Sequence, residues 1–145
     1  MHESRNTILL VARLMLALLF VWSGFGKIFT QTEFAAAMAG RGMPFPEAFP
    51  VLAVLIELGG GLLLLLGWRT ATIAVLLALF TVVATAINHR FWTYPDAARI
   101  GQANNFYKNI AIIGGCLLLC VTGGGRWSLD GWLAARRGPA TPRTA

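Results

Sequence analysis

The chain has 145 residues, of which 57% are hydrophobic and 12% charged, and its net charge is +6. Soluble domains average about 45–50% apolar and about 25% charged residues. The composition therefore excludes a disordered chain, a coiled coil and an ordinary soluble enzyme, and it favours a membrane protein. Nucleic-acid binding is not predicted, because the Lys and Arg residues stand mostly between and after apolar runs rather than along one soluble face.

Four apolar runs follow one another along the chain, at residues 8–29, 49–66, 71–89 and 105–121. Each approaches the ~17–25 residues that one bilayer crossing requires. The first run is longer than the ~7–15 residues of a signal-peptide core and is followed by no small-residue cleavage site, so we expect a retained helix. The sequence thus predicts an all-α, integral membrane four-helix antiparallel bundle. Residues 1–137 are expected to form one domain, and residues 138–145 a disordered tail.

The connections between the spans predict one tight turn and two short interfacial helices. Residues 67–70 are few enough to make the second and third spans antiparallel neighbours. Segment 30–47 is longer, and Thr32 is expected to cap a short helix within it. After the fourth span, Ser128 is expected to cap another short helix over residues 129–137.

The distribution of basic residues in the loops predicts the orientation of the bundle. The side that holds the N-terminus carries six arginines, which are Arg5, Arg69, Arg126, Arg136, Arg137 and Arg143. The opposite side carries three, which are Arg41, Arg90 and Arg99. Both termini are therefore expected to be cytoplasmic.

This topology brings polar residues from all four spans to one end of the bundle. Lys27 lies near the end of the first span, Glu57 about two turns into the second, and His89 at the end of the third. Lys108 and Asn109 open the fourth span at the same end. A carboxylate in the apolar zone is costly unless it is paired, so Glu57 is expected to pair with Lys27 or Lys108. Together the five residues predict an outward-facing polar pocket for a small anion or a quinone head group.

Each of these residues also has a structural interpretation. Lys27 and Lys108 are long enough to extend along apolar surface to the interface, and His89 fits an ordinary polar helix end. Glu57 fits a buried ion pair that sets helix register. A functional role is favoured for Glu57, whereas the structural role is favoured for His89 taken alone. Arg13, near the opposite end, is expected to reach the cytoplasmic headgroups as a topology anchor.

Motifs that would assign a reaction are absent from the sequence. The two histidines, His2 and His89, have no metal-ligand spacing, and no nucleophile stands beside a base. Catalytic residues therefore stay unassigned, and no metal is expected. Cys116 and Cys120 are interpreted as thiols of the bundle core, with a redox pair as the alternative.

The polar and glycine positions recur in an order that is typical of one family. The first span contains Arg13, Leu18-Leu19-Phe20 and Ser23-Gly24-Phe25-Gly26-Lys27-Ile28. The second contains Ile56-Glu57-Leu58-Gly59-Gly60-Gly61-Leu62-Leu63 and is followed by Leu66-Gly67 and Arg69-Thr70. Later pieces are Phe80-Thr81, His89, Phe91, Lys108-Asn109, Gly114-Gly115 and Ser128-Leu129-Asp130. Over residues 13–130 the sequence resembles the DoxX family of small four-helix bacterial membrane proteins.

The resemblance implies a location and a class of function. It implies a multi-pass protein of the bacterial inner membrane. The family takes its name from a subunit of a thiosulfate:quinone oxidoreductase, and some relatives are implicated in oxidative-stress or thiol-linked membrane complexes. A component of a membrane oxidoreductase is therefore expected, with quinone or a small sulfur species as ligand and a redox subunit or a second copy as partner. The alternative is a non-catalytic membrane anchor or scaffold subunit, and transport is a third, less favoured, function.

Overall fold

The computed structural model describes residues 2–137, and the expected tail at 138–145 lies outside them. The described residues contain helices and no strand. In chain order the helices are α1 (His2–Phe29), α2 (Gln31–Ala39), α3 (Ala48–Leu66), α4 (Thr70–Asn88), α5 (Asp96–Thr122) and α6 (Leu129–Arg136). A short 3-10 turn, Phe91–Thr93, separates α4 from α5.

Four of these helices, α1, α3, α4 and α5, are long and apolar enough to cross a membrane. Successive spans run in opposite directions, with α2 and α6 as short helices at the two ends of the bundle. The predicted all-α membrane bundle is confirmed. Many large apolar side chains point outward, among them Trp22, Leu118 and Val121, which are 76%, 69% and 87% exposed. Such an outer surface suits hydrocarbon as the solvent.

The spans pack as two close pairs, α1 with α3 and α4 with α5. Contacts between α1 and α5 and between α3 and α4 join the pairs. The core lies between them and consists of Ala17, Phe20, Leu64, Ile73, Ala74, Leu77, Ala78, Ile112, Cys116 and Leu119. Small residues are common in this core, as expected for membrane helices that associate by close packing.

Glycines set the contact between α1 and α3. A Cβ atom at Gly24 would lie 2.5 Å from the backbone nitrogen of Leu58, and one at Gly61 would lie 2.8 Å from the backbone nitrogen of Val21. Two backbones can approach this closely only where no side chain separates them. The contact matters for function because it holds the end of α1 against the segment of α3 that carries Glu57.

Replacing Gly24 by alanine is therefore expected to lower the free energy of unfolding by about 1–3 kcal/mol, because the added methyl group meets backbone atoms that only a helix shift can move. Gly26→Ala is the matched control, since a Cβ atom there meets nothing within 4 Å. Unfolding of both variants in detergent measures the difference. Equal stability of the two variants would contradict the close contact.

One turn of α3, Leu55–Gly59, is a π-helix, and Glu57 lies at its centre. A π-helical turn inserts an extra residue into the helix and changes the direction of the side chains that follow. Such turns are frequent at functional sites. No pattern in the sequence predicts this turn.

The helix bounds differ from the apolar runs at several ends. The fourth span, α5, begins at Asp96 rather than near residue 105. Pro95 has an extended backbone, and the negative charge of Asp96 suits the first turn of a helix. Hydropathy marks only the part of a helix that lipid covers, so the polar residues 96–104 lie outside the predicted run. The helix in segment 30–47 starts at Gln31 and has no side-chain cap, whereas Ser128 accepts from the backbone N–H of Gly131 and caps α6 as predicted.

Candidate ligand-binding cavity

A cavity of about 1120 Å³ lies at the end of the bundle where α1 and α4 end. Residues from all four spans line it. They include every residue that the sequence predicted for a pocket, namely Lys27, Glu57, His89, Lys108 and Asn109. Its volume slightly exceeds the ~300–1,000 Å³ that is typical of small-molecule sites. We call it the polar cavity.

An ion pair joins α1 to α3 in the wall of the polar cavity. The Nζ atom of Lys27 lies 2.6 Å from Oε2 of Glu57, and it also donates to Oγ of Ser23 at 2.7 Å. The Glu57 side chain is 9% exposed and that of Lys27 is 25% exposed. The prediction that Glu57 is paired within the bundle is confirmed, and Lys27 is its partner.

The second lysine of the cavity has a different role. Lys108 is exposed and donates to Oδ1 of Asn105, 3.0 Å away on the same helix. It does not pair with Glu57, because α3 packs against α1, and the lysine of α1 is the cation that this contact brings to the carboxylate. Its neighbour Asn109 donates to Oγ1 of Thr85 at 2.8 Å and so ties α5 to α4.

His89 lines the cavity from one residue beyond the end of α4. Its Nδ1 atom is 2.8 Å from Oε1 of Gln102 in α5. With the oxygen of Gln102 assigned to this side, Nδ1 is the donor of this hydrogen bond. The contact orients the His89 ring toward α5.

Polar residues that the sequence analysis did not single out complete the cavity. Arg41 lines it from the segment after α2, and its Nη2 atom lies 3.4 Å from the hydroxyl of Tyr94. Tyr94 in turn donates to the carbonyl of Asn88 at 3.2 Å. The place of Ser23 in the cavity could have been predicted from the sequence, since Ser23 precedes Lys27 by one helical turn. The place of Arg41 could not, because it depends on the fold of the 30–47 segment.

Arg13 lies at the opposite end of the bundle and differs from its expected role. It is 2% exposed, so it does not extend to lipid headgroups. Its Nη1 and Nη2 atoms donate to the carbonyls of Gly124 and Trp127, both at 2.7 Å. The chain leaves α5 here with carbonyls that no helix satisfies, and Arg13 supplies the donors.

Asp130 ties the same region to the start of α4. Its two carboxylate oxygens accept from the backbone N–H groups of Arg69 and Thr70, each at 2.7 Å. Partial burial alone would raise the pKa of Asp130, but the bonds from Thr70 and Arg69 and the charge of Arg13 hold that pKa below its usual value. We call Arg13, Ser128 and Asp130 the C-terminal clamp.

The cysteines and the acidic residues of the described part form no further centre. Cys116 is buried, Cys120 is half-buried, and both are free thiols. Among residues 2–137, no three His, Cys, Asp or Glu side chains come together in a way that would hold a metal ion.

Comparison with known proteins supports the resemblance found in the sequence. The DoxX family model matches residues 8–90. The inner membrane protein YphA of Escherichia coli K12 is 35% identical over 127 residues, which cover 88% of this chain and 91% of that protein. The inner membrane protein YqjF of the same organism is 37% identical over 133 residues, covering 90% and 95%. The ER-derived vesicles protein ERV29 of Saccharomyces cerevisiae is 30% identical over 77 residues, 53% of this chain but 25% of that protein. No solved structure matches.

Proposed function

Because this chain belongs to the DoxX family of integral membrane proteins, we propose that its polar cavity binds a quinone head group or a small sulfur anion, and that the protein is a component of a membrane oxidoreductase. The observation that carries this proposal is the Lys27–Glu57 pair in the cavity wall. Ionisable groups within a membrane span are costly and usually functional. A pair that only set helix register would fit a closed helix contact, whereas this pair borders a large cavity.

The charges and donors of the cavity match these ligands. Lys27, Arg41 and Lys108 bring three cationic side chains to its lining, against the single carboxylate of Glu57. This excess attracts an anion or the electron-rich carbonyl oxygens of a quinone. Lys27 and Asn109 supply the N–H donors that such oxygens need.

A bound quinone would supply the redox chemistry by accepting electrons and protons to give the quinol. The electrons would come from a partner redox subunit. Glu57 and His89 line the cavity and are the side chains placed to exchange the protons. Thiosulfate would need only the cationic side of the cavity.

Titration with a short-chain benzoquinone and with thiosulfate tests the proposal. Trp22 lines the cavity, so binding is expected to change its fluorescence. Glu57→Gln is expected to weaken quinone binding at least about tenfold, a loss of about 1.4 kcal/mol. Thiosulfate, which needs only the cationic side chains, is expected to bind this variant no more weakly. Glu47→Gln is the matched control, because Glu47 is exposed and lies outside the cavity lining. If neither compound binds at millimolar concentration, the cavity is structural, and the anchor or scaffold function replaces this one.

We also propose that both termini are cytoplasmic and that the polar cavity faces the other side. The support is the excess of arginine at the end that holds α6. In a background with Cys116 and Cys120 replaced by alanine, a membrane-impermeant maleimide added to spheroplasts is expected to label Thr93→Cys but not Ala134→Cys. Both positions are exposed in the structure. Labelling of Ala134→Cys alone would show the opposite orientation.

A further inference from the structure

A second cavity, of about 300 Å³, lies among α2, α3 and α4. Its lining is apolar except for Asn88, and the buried residues Met38 and Ala53 contribute to it. Nothing in the Lys27–Glu57 site requires a hydrocarbon-lined space. We call it the apolar cavity.

The two cavities are neighbours with a common wall. Phe34, Phe80, Ala84 and Asn88 line both of them. Phe34 comes from α2, and the other three lie on successive turns of α4. A molecule bound beside Lys27 and Glu57 therefore needs to pass only this wall to extend into the apolar cavity.

The apolar cavity also reaches the outer surface of the bundle. Leu79 and Val83 line it, yet they are 60% and 56% exposed. That surface belongs to α4, which is one of the four spans, and so faces hydrocarbon in a membrane. A hydrocarbon chain can therefore enter the apolar cavity sideways from the bilayer, whereas a water-soluble ion cannot.

We propose that the ligand is an amphiphile that occupies both cavities, with a head group rich in hydrogen-bond acceptors beside Lys27 and Glu57 and a hydrocarbon chain in the apolar cavity. This inference rests on the proposed function, and it selects a membrane-soluble ligand over a free sulfur anion. The hydrocarbon chain of the ligand makes binding more favourable because it leaves water and packs closely against the apolar lining. The acceptor atoms of the head replace water on the N–H groups of Lys27 and Asn109.

A chain-length comparison tests the inference. The first probe is a benzoquinone that carries two methoxy groups and one methyl group but no side chain. The second probe has the same head group with a decyl chain. At fixed detergent concentration, the decyl compound is expected to bind the wild-type protein at least about tenfold more tightly. Val83→Trp, which fills the apolar cavity, is expected to reduce this gain to less than about threefold without changing the affinity for the bare head group.

The neighbouring residue supplies the matched control. Val82 is 48% exposed on the same helix but does not line the apolar cavity, so Val82→Trp is expected to keep the full gain. Partition of the decyl chain into detergent is the same for all three proteins and cancels in the comparison. Because both valines are exposed, neither change disturbs the core, and size-exclusion profiles check this.

The outcomes separate the two proposals. Loss of the gain in Val83→Trp and its retention in Val82→Trp support the amphiphile. If the bare head group binds but Val83→Trp and Val82→Trp keep the same gain, the proposed chain site in the apolar cavity is wrong. The proposed ligand site in the polar cavity is then unaffected. If the bare head group does not bind the wild-type protein, the amphiphile fails, and the proposed function then depends on thiosulfate alone. If thiosulfate does not bind either, the proposed function fails.

Discussion

Replacing Lys27 by methionine is expected to lower the free energy of unfolding by about 3–5 kcal/mol, because the change leaves the carboxylate of Glu57 buried without a partner. Glu57→Gln is expected to cost less, about 1–3 kcal/mol, since a neutral amide still accepts a hydrogen bond from Lys27. Reversible unfolding in mixed detergent micelles measures both changes. The double variant Lys27→Met with Glu57→Gln is expected to recover part of the loss, because no charge is then left buried.

Lys108→Met is the control for this series. Lys108 has the same chemistry and lines the same cavity, but it is exposed, and among residues 2–137 it bonds only to Asn105. Its replacement is expected to change stability by less than about 0.5 kcal/mol. If Lys27→Met and Lys108→Met were equally stable, the ion pair would not carry the contact between α1 and α3.

Replacing Arg13 by methionine is expected to lower the free energy of unfolding by about 2–4 kcal/mol. The change removes two charge-assisted hydrogen bonds and leaves the carbonyls of Gly124 and Trp127 without their donors. The loop before α6 is expected to detach first, so limited digestion with trypsin after Arg126 should become faster. Arg13→Lys keeps the charge but loses the forked geometry of the guanidinium group. Its free energy of unfolding is expected to lie between those of the wild-type protein and Arg13→Met.

Arg5→Met serves as the control for Arg13, because Arg5 is exposed on the same helix. It is expected to have the stability and the digestion rate of the wild-type protein. Unchanged digestion of Arg13→Met would show that the C-terminal clamp does not hold α6 in place.

The bundle was predictable because lipid imposes a simple rule on the sequence. A span must be apolar over its whole length, so the four runs are visible in composition alone. Gly24 and Gly61 were recognisable as contact positions for the same reason, since close packing is what joins membrane helices. The early start of α5 was not predictable from hydropathy, because its first turns carry polar residues that continue the helix beyond the apolar zone.

The meeting of Lys27, Glu57, His89, Lys108 and Asn109 at one cavity followed from topology and depth. Which lysine pairs with Glu57 did not follow, because that choice depends on how α3 is rotated, and the π-helical turn at Leu55–Gly59 changes the rotation. The role of Arg13 was not predictable for a different reason. Its partners are backbone carbonyls more than 100 residues away, and no side-chain pattern marks a backbone acceptor.

Native mass spectrometry of the protein, extracted from the membrane in polymer-bounded lipid discs, tests most directly whether the two neighbouring cavities hold a ligand. We expect one amphiphile with a hydrogen-bond-accepting head group bound to each wild-type chain, and a large loss of that species in both Glu57→Gln and Val83→Trp. Val82→Trp is expected to retain it. Wild-type spectra that contain only phospholipids in the proportions of the bulk membrane, unchanged in all three variants, would contradict a ligand site in this bundle.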